Sequence, residues 1–156
     1  MKINEFLCKS AVTNDLQSST KADLIAEMVG LLVDAGAIDK KHKNKIIESL
    51  MTRESLGSTA IGQGIAIPHA KSEHVTQLVS ALAVSKKGIN FDSLDGEPAY
   101  IFFLLVAPSD SAGPHLKALA RVSRLLKDKF FRESLKNTKT GKDIIELVAQ
   151  EDARIG

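Results

Sequence analysis

Ala99 to Ala107 (AYIFFLLVA) is an unbroken run of apolar residues, and it limits the possible folds more tightly than any other feature of the chain. It is far too short to span a bilayer, which takes about 20 residues in a helix. It does not alternate, so it does not read as a strand with one wet face. A continuous apolar strand of this kind, Tyr100 to Val106 at its centre, belongs inside a sheet whose two faces are both covered by helices.

The rest of the chain supplies those layers. Thr20 opens a helix, with Asp23 in the capping-box position; Leu24, Met28, Leu31, Leu32 and Ala35 follow at helical spacing, and Gly36 stops it. Asp39 caps a second helix, with Ile46, Ile47, Leu50 and Met51 on its apolar face, ending near Leu56-Gly57. Gly57 to Gly64 reads as loop or hairpin, and Ile65-Ala66-Ile67 as a short strand running into Pro68-His69. Leu78 to Ser85 reads as a strand, Lys86-Lys87-Gly88 as a turn and Ile89-Asn90-Phe91 as a short edge strand. A helix from about His115 to Lys127 is expected to turn Leu116, Leu119, Ala120, Ser123 and Leu126 inward. A short helix around Phe130 to Leu135 follows. Thr140, with Asp143, caps the last one. The predicted fold is α/β: a small mixed parallel/antiparallel sheet flanked by helices on both faces. At 156 residues the chain, residues 1–156, reads as a single domain.

Composition removes several function classes. The net charge of +2 is too small for nucleic-acid binding, which neutralises several phosphates at once. The clusters Lys40-Lys41-His42-Lys43 and Lys127-Asp128-Lys129 read as solvated helix faces or as a patch for an acidic protein partner. One cysteine, Cys8, allows no internal disulfide, and the N-terminus lacks the apolar run of a signal peptide. A cytoplasmic protein without membrane insertion is expected.

Chemistry concentrates between Arg53 and His69. Gly57, Gly62 and Gly64 allow a close backbone approach to a ligand, but the phosphate-loop pattern fails at Gln63-Gly64, and the dinucleotide fingerprint fails at Ile67. His69 lies at a strand end, where α/β proteins place ligands, and Pro68 stiffens the approach to it. It reads either as a nucleophile for phosphorus or as a strand-end histidine bonding a carbonyl. His115, at a helix start, reads as an anion contact or as a solvated ring. Arg53 reads as a guanidinium clamp or as a helix-dipole partner. His42 and His74 read as surface residues. No spacing suits a metal site.

The run Arg53-Glu54-Ser55-Leu56-Gly57-Ser58-Thr59-Ala60-Ile61-Gly62-Gln63-Gly64-Ile65-Ala66-Ile67-Pro68-His69-Ala70 resembles the active-site signature of enzyme IIA proteins of the fructose/mannitol class. These belong to the bacterial phosphoenolpyruvate-dependent phosphotransferase system. The later block Leu104-Leu105-Val106-Ala107-Pro108, with His115-Leu116 beyond it, extends the resemblance along nearly the whole chain. Ala60 departs from it, where many relatives carry glycine. The resemblance implies a mixed sheet between helices and a phosphotransferase component that uses no metal or cofactor. It implies that Nε2 of His69 accepts a phosphoryl group from an HPr-like phosphohistidine protein, with Arg53 and His115 lining the site. Ser58, Thr59, Gly62 and Gly64 fall in the matching phosphate-binding loop. The Arg-Glu-x-Leu-Gly-Ser-Thr run is most similar to the nitrogen-regulatory branch, whose members bind target proteins in one phosphorylation state. The alternative is a sugar-specific IIA component that passes phosphate to a IIB domain of a fructose/mannitol-type permease. Two further readings are a metal-dependent hydrolase and a binding module without covalent chemistry.

Overall fold

The computed structural model describes residues 1–156. The apolar run forms strand β6 (Ala99–Pro108) at the heart of a six-stranded mixed sheet. The other strands are β1 (Leu7–Thr13), β2 (Ala60–Gly62), β3 (Ile65–Ala66), β4 (His69–Ser72) and β5 (Val79–Ile89). The order across the sheet is β1-β5-β6-β3-β2, and β4 pairs with β6 beyond the end of β3. β6 runs antiparallel to β5 and parallel to β3 and β4, while β1 and β5 are parallel.

Successive side chains of β6 point to opposite faces, and each face has its own core. Phe102, Leu104 and Val106 pack under α1 (Lys21–Asp34) and α2 (Lys43–Ser55), against Leu24, Ile25, Met28, Ile46 and Leu50. Ile101, Phe103 and Leu105 pack under α3 (Ala112–Leu125), α4 (Lys129–Lys136) and α5 (Gly141–Arg154), against Ala118, Val122, Leu125, Phe131, Leu135, Ile144 and Val148. An unalternating strand is covered on both sides, as its sequence requires. The caps also follow the sequence: Thr20 Oγ1 accepts from Asp23 N at 3.2 Å and Thr140 Oγ1 from Asp143 N at 3.1 Å. Asp39 caps a single 3-10 turn, Lys40–His42, which leads into α2.

Three expectations need correction. Lys86-Lys87-Gly88 is not a turn, and Ile89-Asn90-Phe91 is not a separate strand. β5 continues to Ile89 through a register shift, and Ile89 pairs with Ala99. Gly88 takes φ 82°, and a Cβ there would lie 2.8 Å from the Tyr100 ring. The glycine marks a close approach rather than a reversal. Strands β1 and β4 have no counterpart in the sequence reading. Of the residues expected to face inward from α3, Leu126 is buried and Leu119 packs against the core, but Leu116, Ala120 and Ser123 are exposed; the buried residues of the helix are His115, Ala118, Arg121, Val122 and Leu125.

Candidate functional site

Pairing with β6 places the start of β4 at the site. His69 lies opposite Leu105, whose side chain faces α3, so the histidine side chain also leaves the sheet on that side. Its Nδ1 is 2.8 Å from the carbonyl oxygen of Ile67. A carbonyl oxygen only accepts, so Nδ1 carries the proton and Nε2 keeps its lone pair.

His115, in the first turn of α3, meets this ring edge to face. The centroids are 5.5 Å apart and the planes are inclined at 73°. His115 is buried, and its Nε2 has no protein hydrogen-bond partner. Arg53 reaches the same place from the last turn of α2, its Nη1 donating to Gly57 O at 2.8 Å. The three side chains line one open hollow of about 530 Å³ with Lys71 of β4 and the apolar Leu56, Leu116 and Leu119.

Burial weakens proton binding at both rings. Burial is the main reason that His69 binds its proton more weakly than the ordinary histidine value of 6.5. The Arg53 charge adds to this, while the Ile67 hydrogen bond and the Glu54 charge oppose it. His115 is also held below 6.5, first by burial and then by His69 and Lys71. The arrangement is a neutral imidazole with a free Nε2, a second buried ring with an unused nitrogen, and two cations. It suits attack on an electrophile whose oxygens carry negative charge.

The loop residues lie elsewhere. Ser58 Oγ donates to Phe91 O at 2.6 Å, and Thr59 Oγ1 donates to the buried carboxylate of Glu54. Gly62 and Gly64 build the β2–β3 hairpin, whose two turn residues, Gln63 and Gly64, have φ of 60° and 78°. A turn of that kind asks for positive φ at both positions. None of the four lines the hollow.

His42 and His74 stack on each other, with centroids 4.0 Å apart, and do not line the hollow. In the sequence both read only as surface residues. Lys71 carries no signal in the sequence, Leu56 reads there only as the end of the second helix, and Leu116 reads as core by its helical spacing. A smaller hollow of about 270 Å³ between β1 and α5 contains none of the candidate residues. No group of three or more His, Cys, Asp or Glu is placed to hold a metal ion, and no helix is long and apolar enough to cross a membrane.

Comparison with known proteins bears on this geometry. Residues 5–151 match the family model described as phosphoenolpyruvate-dependent sugar phosphotransferase system, EIIA 2. A fructose-specific EIIABC component of this system from Bacillus subtilis is 39% identical over 152 residues; the match covers 97% of this chain but only 24% of that longer protein. A nitrogen regulatory protein from Bradyrhizobium diazoefficiens is 33% identical, covering 96% of this chain and 95% of the relative. The crystal structure of nitrogen regulatory protein IIA-Ntr from Neisseria meningitidis superposes with a TM-score of 0.84 at 31% identity, covering 94% of this chain and 98% of that one.

Proposed function

The chain belongs to the EIIA 2 family of the phosphoenolpyruvate-dependent sugar phosphotransferase system, and from that premise we propose that Nε2 of His69 is the atom that accepts and hands on the phosphoryl group. One observation carries the reading. The Nδ1–H of His69 is tied to Ile67 O, which leaves the Nε2 lone pair free in a hollow shared with His115 and Arg53. The donor is an HPr-like phosphohistidine protein. The Nε2 lone pair forms the new P–N bond as the old one breaks, and that bond's electron pair stays on the departing donor imidazole.

Such a transfer asks the protein for in-line positioning and for donors to the equatorial oxygens. Arg53, Lys71 and an N–H of His115 serve as those donors. Ser58, Thr59, Gly62 and Gly64 act by shaping the loop and hairpin beside the histidine. The reading includes a cytoplasmic location, where a phosphohistidine donor would meet it.

Downstream, the phosphorylation state governs binding to a regulatory partner. The likeness to nitrogen regulatory proteins along nearly their whole length supports this. The identity to a fructose-specific component supports a second reading, in which the group passes to a IIB domain of a permease.

The test is intact-mass analysis after incubation with a phosphorylated HPr-like protein. A single acid-labile phosphoryl adduct is expected on the wild type, His42→Ala and His74→Ala, and none on His69→Ala. An adduct on His69→Ala would remove His69 from the role.

A further inference from the structure

Glu54 has no part in the transfer as described, yet its side chain is only 2% exposed beside the site. A buried carboxylate is costly unless its oxygens are fully engaged, and these are. They accept from Thr59 N at 3.2 and 3.4 Å and from the Thr59 hydroxyl, and one pairs with Lys21 Nζ at 3.2 Å. Lys21, at the start of α1, also pairs with Asp92 at 3.1 Å and lies over the Phe91 ring, 4.7 Å from its centroid.

The connection runs on from Thr59 to the histidine. The carbonyl of Thr59 accepts from Ile67 N at 3.2 Å, and the carbonyl of Ile67 accepts from His69 Nδ1 at 2.8 Å. Glu54, Thr59, Ile67 and His69 thus form one unbroken line of hydrogen bonds. The same short loop presents Gly57 O to Arg53 Nη1. Both groups placed on the phosphoryl path take their bearings from a loop that one carboxylate holds down.

We propose that Glu54 is a positioning residue for phosphoryl transfer: by fixing Thr59 it sets the Ile67 carbonyl that selects the Nδ1–H tautomer of His69, and the Gly57 carbonyl that aims Arg53. This deepens the preceding reading and rests on His69 being the acceptor. A role confined to stability would lower the melting temperature but leave the ring proton where it is.

The experiment compares Glu54→Ala, Glu54→Gln and Glu54→Asp with the wild type. ¹⁵N NMR of the His69 ring reports the tautomer, and single-turnover phosphorylation separates the transfer rate from the apparent donor affinity. Glu54→Ala is expected to populate the Nε2–H tautomer and to slow transfer on the order of 100-fold, as for a misplacement near 1 Å, with donor affinity unchanged. Glu54→Gln keeps an oxygen for Thr59 and should restore the tautomer and most of the rate. Glu54→Asp keeps the charge but falls short of Thr59, so it should resemble Glu54→Ala; it decides the matter if the alanine variant does not fold. A folded Glu54→Ala or Glu54→Asp protein with the wild-type tautomer and rate overturns the proposal. If the wild type takes no phosphoryl group, the acceptor reading fails while the tautomer measurement still decides the role of Glu54.

Discussion

Two histidines, ring centres 5.5 Å apart, line the proposed site and leave a signature in stability. Both bind protons more weakly in the folded protein than at the ordinary value of 6.5. As the pH falls below 6.5, the unfolded chain takes up protons that the folded one still refuses. The folded state therefore binds fewer protons, and stability drops on acidification. Thermal melts stepped from about pH 7 to about pH 5 should fall more steeply for the wild type than for the His69→Gln/His115→Gln double variant; parallel slopes would count against two weakly protonated rings. In the proposed transfer His69 supplies the lone pair, and Arg53 and His115 hold charge that develops on the transferring oxygens. Deleting a preorganised donor of that sort costs on the order of 100-fold in rate. Arg53→Ala and His115→Ala should each still become labelled on His69, but slowly, in a quenched-flow transfer assay. Wild-type rates in both variants would leave the oxygens to Lys71 and the backbone.

Among the elements, β6 and the caps of α1 and α5 were legible because their causes are local: an unalternating apolar run, and a threonine three residues before an aspartate. β1 was not. Lys9 and Ser10 are exposed in this edge strand, and what makes it a strand is parallel pairing with β5, about 70 residues away. α3 misled because it carries two apolar stripes. Ala118, Val122 and Leu125 face the core, while Leu116 and Leu119 line the hollow. Periodicity finds a stripe but does not say what covers it. His69 itself stood out through Pro68 and the glycines, whereas the buried Glu54 network depends on contacts that only folding creates. One such contact also locks α5 to the rest. Arg121 donates to Asp152 through Nε at 2.8 Å, and Asp152 Oδ2 accepts from Ile3 N at 2.8 Å, with both side chains under 10% exposed. Removing one member of a buried pair strands the other and costs about 3–5 kcal/mol. Asp152→Ala should show that loss in urea unfolding, while the solvent-facing Lys142→Ala should move the midpoint little.

At the scale of the whole molecule, His69 sits in a shallow apolar face and not in a deep cleft. Leu56 is 82% exposed and Leu116 68% exposed, and both border the hollow, with Arg53 and Lys71 beside them. Exposed leucines at such positions mark a surface that another protein covers. Two consequences are separable. Leu116→Asp should raise the apparent KM for a phosphohistidine donor and leave the limiting transfer rate near wild type, because the residue touches the partner and not the phosphorus. Phosphorylation then places roughly two negative charges in the middle of the same face. A partner that packs flat over the unmodified ring has to desolvate that dianion or leave, which is enough to shift its affinity by a few kcal/mol. Pull-downs with wild-type protein, His69→Ala and His69→Glu should therefore recover different partners. The alanine form should keep what the phosphorylated form releases, and Leu116→Asp should lose those partners in every state. Suppose all forms recover the same proteins, and the phosphoryl group instead passes quickly to a permease IIB domain. The face is then a relay surface, and the sugar-transport reading takes the place of the regulatory one.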